Sequence, residues 1–585
     1  MKTVVFCECN RKHLEGKGLK RYYNKLLDGH FERLFRHNII PTINRYAKEG
    51  EVSVIALDDE SAWRLQNHGI AYKRASLDPN LKRKNNLQLA KFCRSIALKN
   101  SLLASKLLFL NMNFWELDEA VIMESLHPVI DDIRIVSSIL DEEKPSRTVI
   151  FDAFSDCGRV IAEVAAKKGI KVDSHSTILS ESLHHIRRTL LPISTKLQKP
   201  RFLSAIRNQR KRHVEPFFTS QNKRIIFVVA TGKWGNAIRR ISKNSLVIGR
   251  DSALKSSYSE LNFRSFEDYA TTETNGKIDF CKTYLPHYAA LRDSAEFRSS
   301  FTFDGIRLWK ILAGMFHGLL AVTPELVLSY YYVLEQIISS EKPSVIVIFG
   351  DRTKFGKTII EAANQYQVPT LVIQPSLVFD RAIDGPTKAA KIAVFGQQAA
   401  DYFASKGCSI EKCRITGNPW LDEILKRNYN PKGVRKKFNV PAGRKIVAVE
   451  NGFKTRDILS ALQRSRTFFP IPFEKEPYDI LQASSIIITT SHIIEGLVLG
   501  KIVIVPSTEK NDLLENAGAL YVSSDKIMQL IRNIKKSQTI KKQLALKYIS
   551  YGNDGKSCQR ISRLINSMVS ANNINSEETE KVIQT

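Results

Sequence analysis

The sequence lacks most of the patterns that would suggest a function directly. Its eight cysteines form no Cys-x-x-Cys pair with accompanying histidines, which excludes the common zinc patterns and favours reduced thiols in a cytosolic protein. The N-terminal apolar run is too short for a signal peptide and is typical of a first β-strand. The longest apolar region, 311–334, is interrupted by His317, Pro324 and Glu325. We therefore expect two buried helices there, the second beginning near Pro324, rather than a membrane span.

Acidic residues are scarce relative to basic ones, since 88 Lys and Arg against 59 Asp and Glu give a net charge of +29. Such an excess favours an acidic partner, for example anionic lipid headgroups, nucleic acid or phosphorylated substrates. No motif typical of nucleic-acid binding accompanies the charge, so we expect no nucleic-acid partner. A denser basic run at 196–219 indicates either a solvated linker or a segment that faces a membrane, and both interpretations stay open.

An internal repeat indicates the architecture. EKPSRTVIFDAFSDCGRVIAEVAAKKGI (143–170) and EKPSVIVIFGDRTKFGKTIIEAANQYQV (341–368) align without a gap, with 11 of 28 positions identical. Each copy predicts a buried parallel strand, a loop and an amphipathic helix, preceded by a long helix. Weaker strand–helix patterns lie upstream of both copies. Alternating strands and helices are typical of doubly wound parallel sheets.

At 585 residues the chain is too long for a single hydrophobic core. We predict an α/β protein with tandem Rossmann-like domains, each built on a doubly wound parallel sheet. The predicted parts are an N-terminal α/β domain at 1–195, a basic linker at 196–219, a second α/β domain at 220–387, a third at 388–570, and a polar, disordered tail at 571–585.

The C-terminal half resembles a known family. The segments that carry the resemblance are EKPSVIVIFGDRTKFGKTIIEAANQYQVPTLVIQPS (341–376), IEKCRITGNPWLDEIL (410–425), LQASSIIITTSHIIEGLVLGKIVIV (481–505) and YGNDGKSCQRISRLI (551–565). In order and spacing they are similar to segments of GT-B glycosyltransferases and of the related UDP-N-acetylglucosamine 2-epimerases. The resemblance covers about 340–570. It implies a GT-B-like pair of lobes, 220–387 and 388–570, with the domain at 1–195 as an addition.

The resemblance implies a nucleotide-sugar-dependent glycosyltransferase in surface polysaccharide or glycolipid biosynthesis. The expected partners are a nucleotide sugar as donor and a sugar or lipid-linked acceptor, with no further cofactor and no metal. We expect a cytoplasmic protein, with possible peripheral contact with an anionic membrane. Two alternatives stay open: an enzyme similar to UDP-N-acetylglucosamine 2-epimerases, and a non-catalytic binding or scaffold protein with a degenerate GT-B fold.

One group of candidate site residues follows the strand in 481–505. Ligands of such folds lie at the carboxyl ends of the strands, where Thr490, Ser491, His492 and Glu495 are expected. The first amide groups of the following helix could bind a diphosphate, and the resemblance implies that Glu495 accepts hydrogen bonds from ribose hydroxyls. The structural alternatives are that Ser491 caps the helix, that His492 is structural and that Glu495 lies on the helix surface.

A second group lies in the preceding lobe and in the turn between the lobes. Asp351 is a candidate general base toward an acceptor hydroxyl, and Arg352 a candidate phosphate ligand. Gly232, in TGKWGN, would allow close backbone approach of an acceptor, and Asn418 lies in the TGNP turn. A turn aspartate, a solvated arginine and a Pro-containing turn explain these residues equally well.

The sequence departs from the family at two substrate-binding segments. The family's Gln-His-Gly segment is replaced by Gln374-Pro375-Ser376, so its histidine is missing. The family's Lys-x-His-Pro loop is absent between 452 and 474, and only Lys454 or Arg456 could replace its basic group. These departures leave the competence of the site open.

Overall fold

The computed structural model describes most, but not all, of the chain. The described residues are 2–8, 32–75, 88–89, 91–92, 95–96, 108–109, 112–151, 155–175, 206, 215–218, 224–281, 294–377, 387–451, 455–474, 477–507, 511–523, 526–533 and 546–584. They form two compact units. The first contains the described residues up to 206 together with 271–332, and the second contains 215–270, 333–377 and 387–584.

The strands are, in chain order, β1 (Lys2–Cys7), β2 (Glu51–Ala56), β3 (Lys73–Arg74), β4 (Leu108–Phe109), β5 (Met112–Asn113), β6 (Arg147–Ile150), β7 (Lys171–Ser174), β8 (Ile225–Val229), β9 (Leu246–Gly249), β10 (Asn262–Ser265), β11 (Thr302–Phe303), β12 (Ile306–Arg307), β13 (Val345–Phe349), β14 (Thr370–Ile373), β15 (Lys391–Val394), β16 (Cys413–Ile415), β17 (Lys445–Glu450), β18 (Phe468–Phe473), β19 (Ile486–Ile488), β20 (Ile502–Val505) and β21 (Leu520–Tyr521).

The α-helices are α1 (Ile40–Glu49), α2 (Asp59–Asn67), α3 (Phe114–Glu143), α4 (Asp156–Lys167), α5 (Gly235–Ile241), α6 (Thr272–Cys281), α7 (Ala295–Ser300), α8 (Trp309–Glu341), α9 (Lys354–Gln365), α10 (Gln397–Ser405), α11 (Pro419–Lys426), α12 (Pro431–Lys437), α13 (Thr455–Gln463), α14 (Tyr478–Ala483), α15 (Ile493–Val498), α16 (Asp512–Asn516), α17 (Ile527–Asn533) and α18 (Ser557–Gln584). A π-helical turn, Phe35–Ile39, precedes α1, and short 3-10 helices lie at Gly232–Trp234, Ser252–Tyr258, Phe266–Tyr269 and Ile410–Lys412.

The first unit is built on a parallel sheet of five strands in the order β3-β2-β1-β6-β7. Its core packs the apolar faces of α1 and α2 against β1 and β2, with Phe35, Tyr46 and Leu65 among the buried residues. Two short antiparallel pairs, β4–β5 and β11–β12, complete the described strands of this unit.

The second unit contains two parallel sheets. The larger has seven strands in the order β10-β9-β8-β13-β14-β15-β16, and the smaller has five in the order β18-β17-β19-β20-β21. Helix α18 packs on the larger sheet, where Ile561 and Ile565 join a core with Phe227 and Val347. Parallel strands joined by helices confirm the predicted α/β class with doubly wound sheets. Both copies of the repeat form the predicted strand and helix, as β6–α4 and β13–α9.

Three features differ from the sequence predictions. The strands that were expected to open a third domain after 388, β15 and β16, instead extend the seven-stranded sheet, because β15 pairs with β14. Pro324 lies inside the single long helix α8 and begins no second helix. A proline removes one backbone hydrogen bond, which a helix of this length tolerates. The tail from 571, expected to be disordered, continues α18 as far as Gln584, since extending a formed helix avoids the cost of nucleation.

Among the helices of the described residues, none combines the length and apolar character that a membrane crossing requires. The basic linker predicted at 196–219 lies almost entirely outside the described residues.

Candidate functional site

The strand orders of the second unit indicate two positions where a ligand is expected to bind. In a doubly wound sheet the connections diverge where the strand order reverses, and ligands bind beyond the carboxyl ends of the strands at that point. The seven-stranded sheet reverses between β8 and β13, and the five-stranded sheet between β17 and β19. The loops that follow these four strands carry Gly232, Asp351, Arg352 and Ser491 among the predicted site residues.

The loop after β8 passes close to the 3-10 helix that follows β9. A Cβ atom on Gly232 would lie 2.8 Å from Cβ of Ser257, so a side chain does not fit. This close contact is a structural reason for a glycine at position 232. The adjacent Lys233 places its ammonium Nζ 3.3 Å from the carbonyl of Pro375 and 4.7 Å from the ring centre of Trp234.

The loop after β13 turns at Gly350, whose φ of +91° favours glycine. Asp351 and Arg352 follow and are both half-buried. Thr353 then caps α9 by accepting a hydrogen bond from the amide of Gly356 at 3.1 Å. No hydrogen bond or ion pair to Asp351 is found within the described part of the chain.

The loop after β19 is organised by Glu450, the last residue of β17. Its Oε2 accepts hydrogen bonds from the Thr490 amide at 2.7 Å, the Ser491 amide at 3.2 Å and the Thr489 hydroxyl at 2.7 Å. The Ser491 hydroxyl donates to Oε1. Burial raises the pKa of Glu450, but these hydrogen bonds outweigh it and leave the pKa below its usual 4.5.

This arrangement corrects the expected roles of Ser491. Its hydroxyl does not cap α15, whose first flanking residue is His492 and which lacks a side-chain cap. The Thr489 hydroxyl instead accepts from the amides of Ser491, at 3.2 Å, and His492, at 3.0 Å. The loop amides expected to bind a diphosphate already donate to Glu450 and Thr489. A phosphate would therefore have to displace an internal carboxylate to reach them.

His492 and Glu495 form a pair one turn apart at the start of α15. His492 Nδ1 lies 3.7 Å from Glu495 Oε1, which is an ion-pair distance and too long for a hydrogen bond, and both side chains are mostly buried. The His492 ring packs edge-on against Phe473 and Tyr478. Burial lowers the pKa of His492, but Glu495 and then Glu450 outweigh it, so the pKa is raised from 6.5.

Lys233 joins the two sheets of this unit electrostatically. Desolvation lowers its pKa from 10.5, while the carboxylate of Glu495 opposes that change. The side chain is exposed by surface area, although enough protein surrounds the ammonium for desolvation to dominate. Lys233 follows β8 and Glu495 follows β19, so charged groups at the carboxyl edges of the two sheets act on each other electrostatically.

A polar cavity of about 340 Å³ adjoins this charged site and shares Lys233 with it. Its lining includes Asn236, the serines of the 3-10 helix after β9, Trp420, Glu423 and Tyr478. Within this lining, Asn236 donates a hydrogen bond to Glu423 at 2.7 Å. Hydroxyl, amide and carboxylate groups beside an aromatic ring suit a carbohydrate, which presents many hydroxyls around an apolar ring face.

Asn418 and Gln374 have structural partners. Asn418 is buried and caps α11 by accepting a hydrogen bond from the Trp420 amide at 3.0 Å. Gln374 is buried as well. It donates to the carbonyl of Ser376 at 2.8 Å and accepts from the amide of Phe395 at 2.7 Å. Gln374, the first residue of the Gln374-Pro375-Ser376 segment, therefore links the backbone at the end of β14 to the backbone at the end of β15.

Sequence reasoning missed two charged residues of the site. Lys233 was part of a motif valued for its glycines, and Glu450 was treated as the end of a strand. An acidic residue directly after the buried run of β17 was the available signal for Glu450. Lys454 and the side chain of Arg456 lie outside the described residues. Within the described residues, no group of three His, Cys, Asp or Glu side chains could hold a metal ion.

No protein-family model and no curated protein matches the chain. It is similar to the solved structure of UDP-GlcNAc 2-epimerase from Neisseria meningitidis bound to UDP-GlcNAc, with 14% identity, a TM-score of 0.39, and coverage of 60% of this chain and 100% of that chain. It is also similar to a glycosyltransferase from Rickettsia africae, with 11% identity, a TM-score of 0.32, and coverage of 62% and 100%. A third similarity is to Anabaena HepE in complex with UDP-glucose, with 13% identity, a TM-score of 0.33, and coverage of 60% and 99%. These are similarities and assign no substrate to this chain.

Proposed function

We propose that the protein is a nucleotide-sugar-dependent glycosyltransferase that acts on a sugar or lipid-linked acceptor in polysaccharide or glycolipid biosynthesis, on the cytoplasmic side. The observation that carries this proposal is that Glu495, which lies 3.7 Å from His492 at the carboxyl edge of one doubly wound sheet, also acts electrostatically on Lys233 at the carboxyl edge of the other. The motif resemblance of 340–570 supports the same class.

The donor site combines two cations and a carboxylate. Lys233 and protonated His492 supply positive charge for a diphosphate, and such groups are worth more in a partly desolvated cleft than in water. Glu495, 3.7 Å from His492, accepts hydrogen bonds from ribose hydroxyls. The amides of Thr490 and Ser491 donate to Glu450 and so hold the loop in place. The diphosphate therefore contacts the cationic side chains of Lys233 and His492 rather than these amides.

The acceptor site is the adjoining cavity. A sugar ring stacks on Trp420, and its hydroxyls bind Asn236 and Glu423. In the transfer step the acceptor oxygen bonds to the anomeric carbon while the bond from that carbon to the diphosphate oxygen breaks. The acceptor proton passes to Asp351, whose carboxylate has no described partner. The nucleoside diphosphate leaves with its charge balanced by Lys233 and His492.

A thermal-shift panel with UDP-, CDP-, GDP- and ADP-sugars tests the donor site. We expect one nucleotide family to raise the melting temperature of the wild type, and Glu495→Gln to reduce that shift strongly. Glu515→Gln, on α16, is the matched control and should keep the shift. No shift with any of the four families would contradict the proposal.

Product analysis separates transfer from its alternatives. With the bound donor and an oligosaccharide acceptor, the wild type should release nucleoside diphosphate, and Asp351→Asn should bind the donor but turn over at least about 100-fold more slowly. If an epimerised nucleotide sugar forms without an acceptor, the protein is an epimerase-like enzyme and the transferase proposal is wrong. Binding without any turnover would indicate the non-catalytic alternative.

A further inference from the structure

The amino edge of the five-stranded sheet carries a concentrated basic surface that the proposed reaction does not use. Residues 431–449 and 458–473 contain no Asp or Glu. Their basic residues, here called the basic edge, are Lys432, Arg435, Lys436, Lys437, Arg444, Lys445, Arg464 and Arg466. Eight of the chain's 88 basic residues thus lie in two segments that contain no acidic residue.

The basic edge is one continuous surface. Arg435, on α12, donates to the carbonyls of Pro441 at 3.0 Å and Arg444 at 2.9 Å. Arg444 in turn donates to the carbonyls of Ser465 and Phe468, at the start of β18. Hydrogen bonds from these two arginine side chains to backbone carbonyls therefore tie α12, the start of β17 and the start of β18 together.

Most of this charge faces solvent and is not neutralised. Six of the eight side chains are exposed, namely those of Lys432, Lys436, Lys437, Lys445, Arg464 and Arg466. None of the eight forms an ion pair with a residue that the structure describes. By contrast, the basic residues of the first-unit sheet edge pair with carboxylates, as Lys2 does with Glu143 at 2.8 Å.

We propose that the basic edge is the surface by which the protein binds an anionic lipid bilayer. Each Lys or Arg that reaches the surface of an anionic leaflet contributes roughly fivefold in affinity. Six exposed cations, which form no ion pair with a described residue, are within the range of clusters that bind anionic lipids. This inference is independent of the proposed transferase activity, because it uses none of the residues of that site.

The chemistry of the surface favours a bilayer over nucleic acid. Binding of single strands relies on exposed aromatic rings on which bases stack. Here Lys437 lies 5.6 Å from the ring centre of Phe438, and Arg444 lies 5.3 Å from that of Phe469. Both rings also pack against the core beneath α12. Four of the six exposed cations are lysines, which act as point charges rather than as bidentate ligands of bases or phosphates.

The basic edge and the candidate site lie at opposite ends of one strand. Lys445 begins β17 and Glu450 ends it, so their Cα atoms are separated by about 16 Å at the usual strand rise. Binding through the basic edge would therefore leave the carboxyl edge of this sheet uncovered. Nucleotide sugars could reach the site while the protein stays on the membrane.

Vesicle co-sedimentation of the full chain tests this proposal. The test variant changes Lys432, Lys436, Lys437 and Lys445 to Gln. The control variant changes four exposed lysines elsewhere in the same unit, Lys243, Lys255, Lys547 and Lys556, and so removes the same net charge. Vesicles contain phosphatidylcholine alone or with about one quarter phosphatidylserine, at about 0.1 M salt. Melting temperatures of both variants should match the wild type, because all eight side chains are exposed.

We expect the wild type to bind the anionic vesicles and not the neutral ones, and to be released at about 0.5 M salt. The test variant should lose at least about tenfold in affinity, and the control at most about twofold. Equal losses in both variants, or no binding by the wild type, would overturn the proposal. A competition with nucleic acid gives a further test. The proposal would be overturned if a 30-nucleotide DNA, single-stranded or duplex, displaced the protein from the vesicles at equal charge concentration, and if this DNA bound the test variant more weakly than the wild type and the control variant.

Discussion

The two copies of the repeat, 143–170 and 341–368, each form a strand and a helix. They differ in the partners of their first residue, which is a glutamate in both. In the first copy Glu143 accepts from Ser53 at 2.7 Å and pairs with Lys2 and Lys73, both of which reach solvent. In the second copy Glu341 is fully buried. It accepts from Tyr269 at 2.6 Å, from Arg264 at 3.0 Å and from backbone amides at the start of the second unit.

The comparison shows which part of the repeat is structural. In both copies the glutamate holds neighbouring segments at the amino edge of its sheet, and in both a hydroxyl caps the following helix, from Ser155 or Thr353. The candidate chemistry lies at the opposite, carboxyl edge. There the second copy has Gly350-Asp351-Arg352, whereas the matching Asp152-Ala153-Phe154 lies outside the described residues. The two copies therefore share the support of the sheet, and the site depends on the residues directly after the strand.

Replacing each of the two glutamates should give the largest difference in stability between the two copies. Glu341→Ala leaves the buried Tyr269 hydroxyl, the half-buried Arg264 and two partly buried amides without this acceptor, at a cost of about 3–5 kcal/mol. Glu143→Ala should cost about 1–3 kcal/mol, because Lys2 and Lys73 can turn to water. Hydrogen exchange of β13 and β6 amides measures each loss locally. Equal losses in the two copies would contradict this account.

The turn after the second copy's strand should be the next most sensitive position. Gly350→Ala combines a positive φ with a Cβ 2.8 Å from Cγ of Pro375, at a cost of about 1–3 kcal/mol. Thermal unfolding measures the loss. The double variant Gly350→Ala/Pro375→Ala removes the steric part and should recover some of it. If the single variant melts with the wild type, the tight turn is not required.

The helix caps should respond alike in the two copies. Ser155→Ala and Thr353→Ala each remove an oxygen that accepts from a helix amide, at a cost of about 1 kcal/mol. Ser155 also donates to Glu8 at 2.8 Å, so its loss should be slightly larger. Urea unfolding of both variants, beside Ser155→Thr as a capping-competent control, measures the difference. A neutral effect at either position would show that the cap is not shared.

The smallest expected effect is a pH dependence from His492, which lies outside both copies of the repeat, at the carboxyl edge of the five-stranded sheet. Because the pKa of His492 is raised above 6.5, its charged form stabilises the fold fully below pH 6.5, and the contribution is lost as pH rises through the raised pKa. Stability of the wild type should therefore fall slightly above pH 6.5, and His492→Gln should not show this fall. Thermal unfolding from about pH 6 to about pH 8 measures it, and identical profiles would contradict the assignment.

The sequence predicted the local elements well because their periodicities are local. The strand and helix of each repeat copy, and a helix beginning at Ile493, follow from apolar patterns over a few residues. The order of strands is not a local property. Nothing in the pattern of β15 shows that it pairs with β14 rather than opening a new sheet, and helix propensity alone did not predict that Pro324 is accommodated within α8.

The candidate site was predictable in its position but not in its contacts. The loops after β13 and β19 were identified from sequence because ligand sites follow strand ends. The hydrogen bonds of Glu450 with Thr490 and Ser491 join residues about forty positions apart, and the electrostatic effect of Glu495 on Lys233 acts between groups of two sheets. Such contacts depend on how sheets are ordered and packed, which a single sequence does not specify.

The central claim is that a nucleotide sugar binds where the carboxyl edges of the two second-unit sheets meet, with Lys233 on its diphosphate. Isothermal titration of the nucleotide sugar found by the thermal-shift panel tests it most directly, using wild type, Lys233→Met and the exposed control Lys243→Met. The account predicts at least about a tenfold loss of affinity for Lys233→Met and none for the control. Equal affinity of all three proteins would contradict it.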